Sequence, residues 1–336
     1  MDSEFWMLVL CALLLLAFGL LSFLRLDSDL TLLWAAWMGQ RPAEQALIGM
    51  VVWVTGASSG IGEELAFQLS KLGVSLVLSA RRTQELERVK RRCLENGNMK
   101  EKDILVLPLD LADTSSHDTA TKAVLREFGR IDILVNNAGE SNYCFAVDAN
   151  LDVFKVLMEV NYLGTVSLTK CVLPHMMERK QGKIVIMNSL AGIQPSPLCC
   201  GYIASKHALR GFANALRTEL LDHPGITLST ICPGPVHSNI YKNYLTREAI
   251  KAKWPYPQEF PKMATSRCVQ LILVSMANDL EEVWIANQPA LFRTYVWQYV
   301  PIRDWIISRT QWKKRIEIFR INMDNSVGDH DKRPSK

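Results

Sequence analysis

Tyr202 and Lys206 stand one helical turn apart in Tyr202-Ile203-Ala204-Ser205-Lys206, and at i and i+4 a phenol and an ammonium share one face of a helix. A tyrosine titrating near about 10 is a poor proton carrier at neutral pH. A lysine charge beside it is expected to stabilise the phenolate and lower that value, so that Tyr202 can pass a proton to or from a reacting oxygen. Ser189, thirteen residues earlier at the end of an apolar run, offers a hydroxyl to the same oxygen, and Asn161 lies in the long helical stretch before that run. A Tyr-x-x-x-Lys pair alone is common on ordinary helix surfaces. Its meaning depends on the elements that would position it.

Those elements alternate. Beyond Met50 short β-branched apolar runs take turns with longer stretches of helical period, the pattern of a parallel sheet with crossover helices. Strands are predicted at 50–55, 75–79, 103–109, 131–136, 182–188 and 226–231, with 283–286 as a seventh. Helices are predicted at 63–73 and 83–97 between them, the second stopped by Asn96-Gly97 as a C-cap. Right-handed crossovers then make a single doubly wound α/β domain, spanning 49–288, with ligands beyond the carboxyl ends of its strands.

The first strand runs into Thr55-Gly56-Ala57-Ser58-Ser59-Gly60-Ile61-Gly62 and then a helix. Glycines there let backbone N–H groups approach a pyrophosphate facing the helix N-terminus, and the βαβ setting separates a dinucleotide site from a chance turn. A site for NAD has an acidic residue at the end of the second strand, whereas one for NADP has an arginine. This chain reads Ser79-Ala80-Arg81-Arg82, which favours NADP(H), with Arg81 as first choice; otherwise the two arginines merely solvate a helix start. Asp110 and Leu111 fall where they would meet the adenine, and Asn136-Asn137-Ala138-Gly139 closes the fourth strand beneath the cofactor.

Phe5 to Leu24 carries no charge, and twenty residues at ~1.5 Å each span about 30 Å of bilayer. The start Met-Asp-Ser-Glu lacks the basic region of a signal peptide, so 1–25 is read as an uncleaved single-pass anchor, in the endoplasmic reticulum membrane. Arg25 and Arg41 lie after the span, which favours a cytosolic catalytic body and leaves a lumenal one open. In the connector 26–48, Trp34 and Trp37 suit either a headgroup layer or a short helix packed on the domain. The aromatic and basic extension 289–323 suits a membrane interface, domain packing or a dimer partner, and 324–336 reads as a disordered tail. A net charge of +4 excludes a general field for nucleic acid. Eight cysteines without a C-x-x-C pair read as mostly buried free thiols, and six histidines show no metal-ligand spacing, so no metal is expected.

The glycine loop, Asn136-Asn137-Ala138-Gly139, Asn161, Ser189, Tyr202 with Lys206, and Pro233-Gly234 stand in the order and spacing of the short-chain dehydrogenase/reductase family, which the chain resembles over residues 50–285. The resemblance implies that Tyr202 is the proton donor in reduction, Lys206 also holds the nicotinamide ribose, Ser189 orients the carbonyl and Asn161 anchors a water relay to Lys206. It also implies that Pro233, Gly234 and Val236 flank the nicotinamide, with Ser238 in place of the family's threonine. The variable lid after Ser238 offers Tyr241, Tyr244, Trp254, Tyr256 and Phe260, either as walls for a lipophilic substrate or as lid packing. Steroid, retinoid and xenobiotic carbonyls fit the resemblance, as does a homodimer through 151–178 and 200–222. Two rival readings are an NAD-dependent alcohol dehydrogenase and a non-catalytic NADPH sensor or scaffold.

Overall fold

β-branched runs with no polar alternation are suited to strands covered on both faces. The computed structural model describes residues 3–23, 25–38, 41–252, 261–301 and 316–317. Three helices precede the sheet: α1 (Ser3–Phe23), α2 (Leu30–Trp37) and α3 (Ala43–Ala46). The repeating unit then runs β1 (Val51–Thr55), α4 (Gly60–Leu69), β2 (Ser75–Ser79), α5 (Thr83–Asn96), β3 (Ile104–Val106), α6 (His117–Phe128) and β4 (Ile133–Asn136). It continues through α7 (Leu151–Met158), α8 (Gly164–Arg179), β5 (Gly182–Met187), α9 (Cys200–Glu219) and β6 (Ile226–Pro233). A small pair, β7 (Tyr244–Leu245) and β8 (Lys251–Ala252), precedes α10 (Thr265–Ala277), β9 (Glu282–Ile285) and α11 (Ala290–Tyr299).

The sheet order is β3-β2-β1-β4-β5-β6-β9 and every neighbouring pair is parallel. This is the expected doubly wound topology. Alternation along each strand feeds two cores. Val52 and Val54 pack with Leu65, Leu69 and Ile272, while Val51 and Trp53 pack with Val124, Leu168 and Leu209 on the other face. The order reverses between β1 and β4, and a cleft opens there beyond the strand ends.

Several bounds differ from expectation: α4 is Gly60–Leu69 rather than 63–73, β4 begins at Ile133 and β6 reaches Pro233. β3 covers only Ile104–Val106 of the expected 103–109, although Leu107 and Leu109 N–H still donate to Leu78 O and Ala80 O at 3.0 and 3.1 Å, with Pro108 between them on the outer edge of the sheet. Gly97 is not a left-handed cap: its φ is −108°. The position needs glycine for space, because a Cβ would lie 2.5 Å from the Cys93 carbonyl and 2.6 Å from Ser70 Oγ.

The connector is stitched along the free edge of β9. Asp29 N–H donates to Trp284 O at 2.9 Å, Ala286 N–H to Asp27 O at 3.0 Å, and Ser28 bridges Ile285 in antiparallel sense. Asp29 Oδ2 accepts from Trp284 N–H at 2.8 Å, and its Oδ1 caps α2 through Leu32 N–H at 3.0 Å. Leu32 and Ala35 are buried, while Trp34 and Trp37 face out, so α2 packs on the domain and still presents its tryptophans. All eight cysteines are free, and four of them (Cys93, Cys144, Cys232 and Cys268) are buried. Among the described residues no group of His, Cys, Asp and Glu could hold a metal ion.

Candidate active site

The cleft is a cavity of about 520 Å³. Its floor is the glycine loop. Gly56 and Gly60 have φ of 66° and 61°, values that favour glycine. A Cβ on Gly62 would lie 2.4 Å from Gly56 O, so the loop closes tightly on itself. The Ser59 side chain makes no cap bond, leaving the N-terminus of α4 open to the cavity. Bare glycine backbone at a helix N-terminus fits the pyrophosphate of a dinucleotide.

Ser58, Ser59, Gly60, Ile61, Asp110, Leu111, Asn137, Ala138 and Gly139 line the same cavity, as do Pro233, Gly234, Val236 and Ser238. Gly62 and Asn161 support it from behind rather than line it. Ser238 abuts the loop, since a Cβ on Gly60 would lie 3.2 Å from Ser238 Cβ. Arg81 and Arg82 both reach the cavity. Arg82 Nη2 donates to Ser58 Oγ at 3.0 Å, and Arg81 Nη2 pairs with Glu140 Oε1 at 2.5 Å.

The reacting end is built from β5, α9 and the helix before β5. Ser189 caps the short turn after β5, accepting from Ala191 N–H at 3.1 Å, and its hydroxyl is hydrogen-bonded to the Tyr202 phenol. Tyr202 lies in the first turn of α9, where its backbone N–H would be unpartnered; Asn142 Oδ1 accepts it at 3.0 Å. Lys206 Nζ lies 5.8 Å from the Tyr202 ring centroid and donates to Met187 O at 2.8 Å. Ser189, Tyr202 and Lys206 thus meet on one wall.

Asn161 sits in a π turn, Glu159–Leu163, that joins α7 to α8. Such turns insert a residue into the helix, and here the inserted turn carries a fully buried amide. Asn161 Oδ1 accepts from Glu140 N–H at 2.8 Å, while Nδ2 donates to Glu140 O at 2.8 Å and to Ser205 Oγ at 2.9 Å. Ser205 Oγ in turn donates to Tyr202 O at 2.8 Å, so one amide ties the loop after β4 to the helix that carries Tyr202.

Burial dominates the electrostatics. It pushes the Tyr202 phenol up to about 12, with the Ser189 hydrogen bond opposing, and brings Lys206 down to about 8. The expected lowering of Tyr202 by Lys206 is therefore not what this geometry produces: the ammonium points to the Met187 carbonyl and desolvation wins. At neutral pH the pair holds a phenol and an ammonium, the forms that can donate a proton and then meet the anion left behind.

Glu140 and Asn188 are among the cavity residues that carry no motif signal. Glu140, directly after Gly139, is buried and accepts from Arg81 and from Lys251 Nζ at 2.8 Å, joining the arginine beside β2 to the β7–β8 lid. Burial raises its carboxyl, but the two cations outweigh that and leave it below the ordinary value. Asn188, before Ser189, lines the cavity buried, with neither amide atom hydrogen-bonded. Of the lid aromatics, Tyr244 lines the cavity and stacks on Tyr143 at 5.5 Å. Trp254, Tyr256, Phe260 and the Tyr241 side chain lie outside the described residues. α11 adds Ala290 and Arg293 to the wall, so the C-terminal extension begins as part of the site.

A dinucleotide cradle and a Ser-Tyr-Lys wall at the switch point of a doubly wound sheet are matched by the family model for short chain dehydrogenases over residues 50–249, and the chain belongs to that oxidoreductase family. Its sequence is 68% identical to Dehydrogenase/reductase SDR family member 7 of Homo sapiens over 319 residues, 95% of this chain and 94% of the human one. The mouse protein of the same name is 65% identical over the same shares. Among solved structures, a Burkholderia phymatum short chain dehydrogenase/reductase in complex with NAD superposes with a TM-score of 0.66 at 22% identity, covering 79% of this chain and 97% of that one. A Thermococcus sibiricus alcohol dehydrogenase complexed with 5-hydroxy-NADP gives 0.60 at 24% identity, covering 71% and 97%. At these identities the two structures share the fold.

Proposed function

We propose that the chain is an NADP(H)-dependent reductase of lipophilic carbonyl compounds, with steroid, retinoid and xenobiotic ketones or aldehydes as the substrate class, held to a membrane by α1. The observation that carries this reading is the convergence of Ser189, Tyr202 and Lys206 with the glycine loop and two arginines on one cavity. When bound, the nicotinamide supplies the hydride. Tyr202 gives its phenolic proton to the substrate oxygen, Ser189 holds that oxygen, and charged Lys206 meets the phenolate. Asn161 holds the loop and helix in register around them.

The preference for a 2′-phosphate is supported by Arg81 and Arg82 at the mouth of β2, where Ser79 stands in place of a carboxylate. A lipophilic substrate is supported by Val160, Leu190, Ile240, Tyr143, Tyr244 and Ala290 on the cavity wall. The apolar helix Phe5–Phe23 has 19 residues, about 28 Å at 1.5 Å each, close to the ~27 Å hydrocarbon core of the endoplasmic reticulum bilayer. Replacing Arg81 and Arg82 together by alanine is expected to weaken NADPH binding by tenfold or more, about 1.4 kcal/mol or above, with NADH binding unchanged. Wild-type protein that binds NADH more tightly than NADPH overturns the cofactor reading.

A further inference from the structure

The catalytic body carries a continuous apolar face of its own. On α2, Leu30, Trp34, Trp37 and Met38 are all exposed at i, i+4, i+7 and i+8, one stripe opposite the buried Leu32 and Ala35. α11 continues this face: Tyr295 Oη accepts from Leu30 N–H at 3.0 Å, and Phe292 and Tyr299 are exposed beside it. The membrane helix leaves the domain at this same place. Gln288 Nε2 donates to Phe23 O at 3.1 Å, and the Phe23 ring lies 6.1 Å from the rings of both Phe292 and Tyr295. α1 itself is exposed along its length, and its last turn meets the aromatic side of α11 through Phe23.

A chain whose span ends on a surface cannot hold that surface far from the bilayer. Tryptophan, tyrosine and phenylalanine exposed there match the amphipathic headgroup layer, and Arg25, exposed at the end of α1, suits lipid phosphates. The opposite side of α11 supplies Ala290 and Arg293 to the cavity. One helix, ~10 Å across, therefore separates the apolar face from the substrate site.

We propose that the catalytic domain lies on the bilayer through α2 and α11, with Trp34, Trp37 and Phe292 in the interface, and that lipophilic substrate enters the cavity from the membrane alongside α11. This rests on reading α1 as a membrane span. Full-length protein carrying a benzophenone amino acid at position 37, 292 or 221 is reconstituted in phosphatidylcholine vesicles, irradiated, and extracted with alkaline carbonate. Leu221 is exposed before β6, at the amino end of the sheet, and serves as the distant control. The expected result is protein in the membrane pellet, with positions 37 and 292 cross-linked to lipid at least tenfold more than position 221. Protein in the pellet with no lipid cross-link at 37 or 292, or with cross-links to a second copy of the chain instead, overturns the docking and leaves the anchor standing. Protein in the supernatant overturns both.

Discussion

At neutral pH Tyr202, pushed up to about 12, keeps its proton, and Lys206, brought down to about 8, keeps its charge. The proposed reduction consumes the first and relies on the second. The sign follows: kcat/KM for reduction should stay level below pH 8, where Lys206 is charged, and fall about tenfold per unit above it, long before Tyr202 titrates. Lys206→Arg keeps its charge throughout, so its slower reaction should lose the alkaline limb; a pH profile in which that limb stays near 8 contradicts the assignment. The glycine loop and Tyr202 are legible in the sequence because contiguous residue types carry their chemistry. The direction of the Tyr202 shift is not, because it depends on how much water the folded cavity excludes.

Elements that meet across long stretches of chain are where the sequence falls silent. Glu140 finds Arg81 and Lys251, 59 and 111 residues away, and Asp29 finds Trp284, 255 residues away. No local period announces such pairs, whereas the strands announce themselves as apolar runs. The π turn is equally hidden, because one inserted residue barely changes a helical pattern. Glu140→Gln removes the charge that holds Lys251, so the β7–β8 lid should open more often, and trypsin should cut at Arg247 or Lys251 several-fold faster with little change in Tm. Equal cleavage rates argue against a lid held by Glu140. Burial raises Asp29 to about 6, yet its carboxyl still receives two buried N–H groups. Asp29→Ala strands both, and should cost about 1–3 kcal/mol, seen as a lower Tm in detergent. An unchanged Tm would mean the connector is not stitched to β9.

Across the whole molecule, the switch point between β1 and β4 brings together the cradle, the reactive wall, a lid and a helix tied to the apolar N-terminal helix α1. In the proposed reaction each part has a separate task, and the central one is that Tyr202 moves the proton. Its backbone anchors, Asn142 and Ser205, do not use the phenol oxygen, so removing that oxygen should leave the fold and the cradle intact. The most direct test compares wild type and Tyr202→Phe in NADPH oxidation with a panel of steroid, retinoid and aromatic carbonyls, with NADPH affinity measured on the same samples. The account predicts turnover by wild type and a loss of about 10²–10⁴-fold in Tyr202→Phe at unchanged NADPH affinity. Tyr202→Phe with the wild-type rate, or wild type that binds NADPH and turns over nothing in the panel, would contradict it.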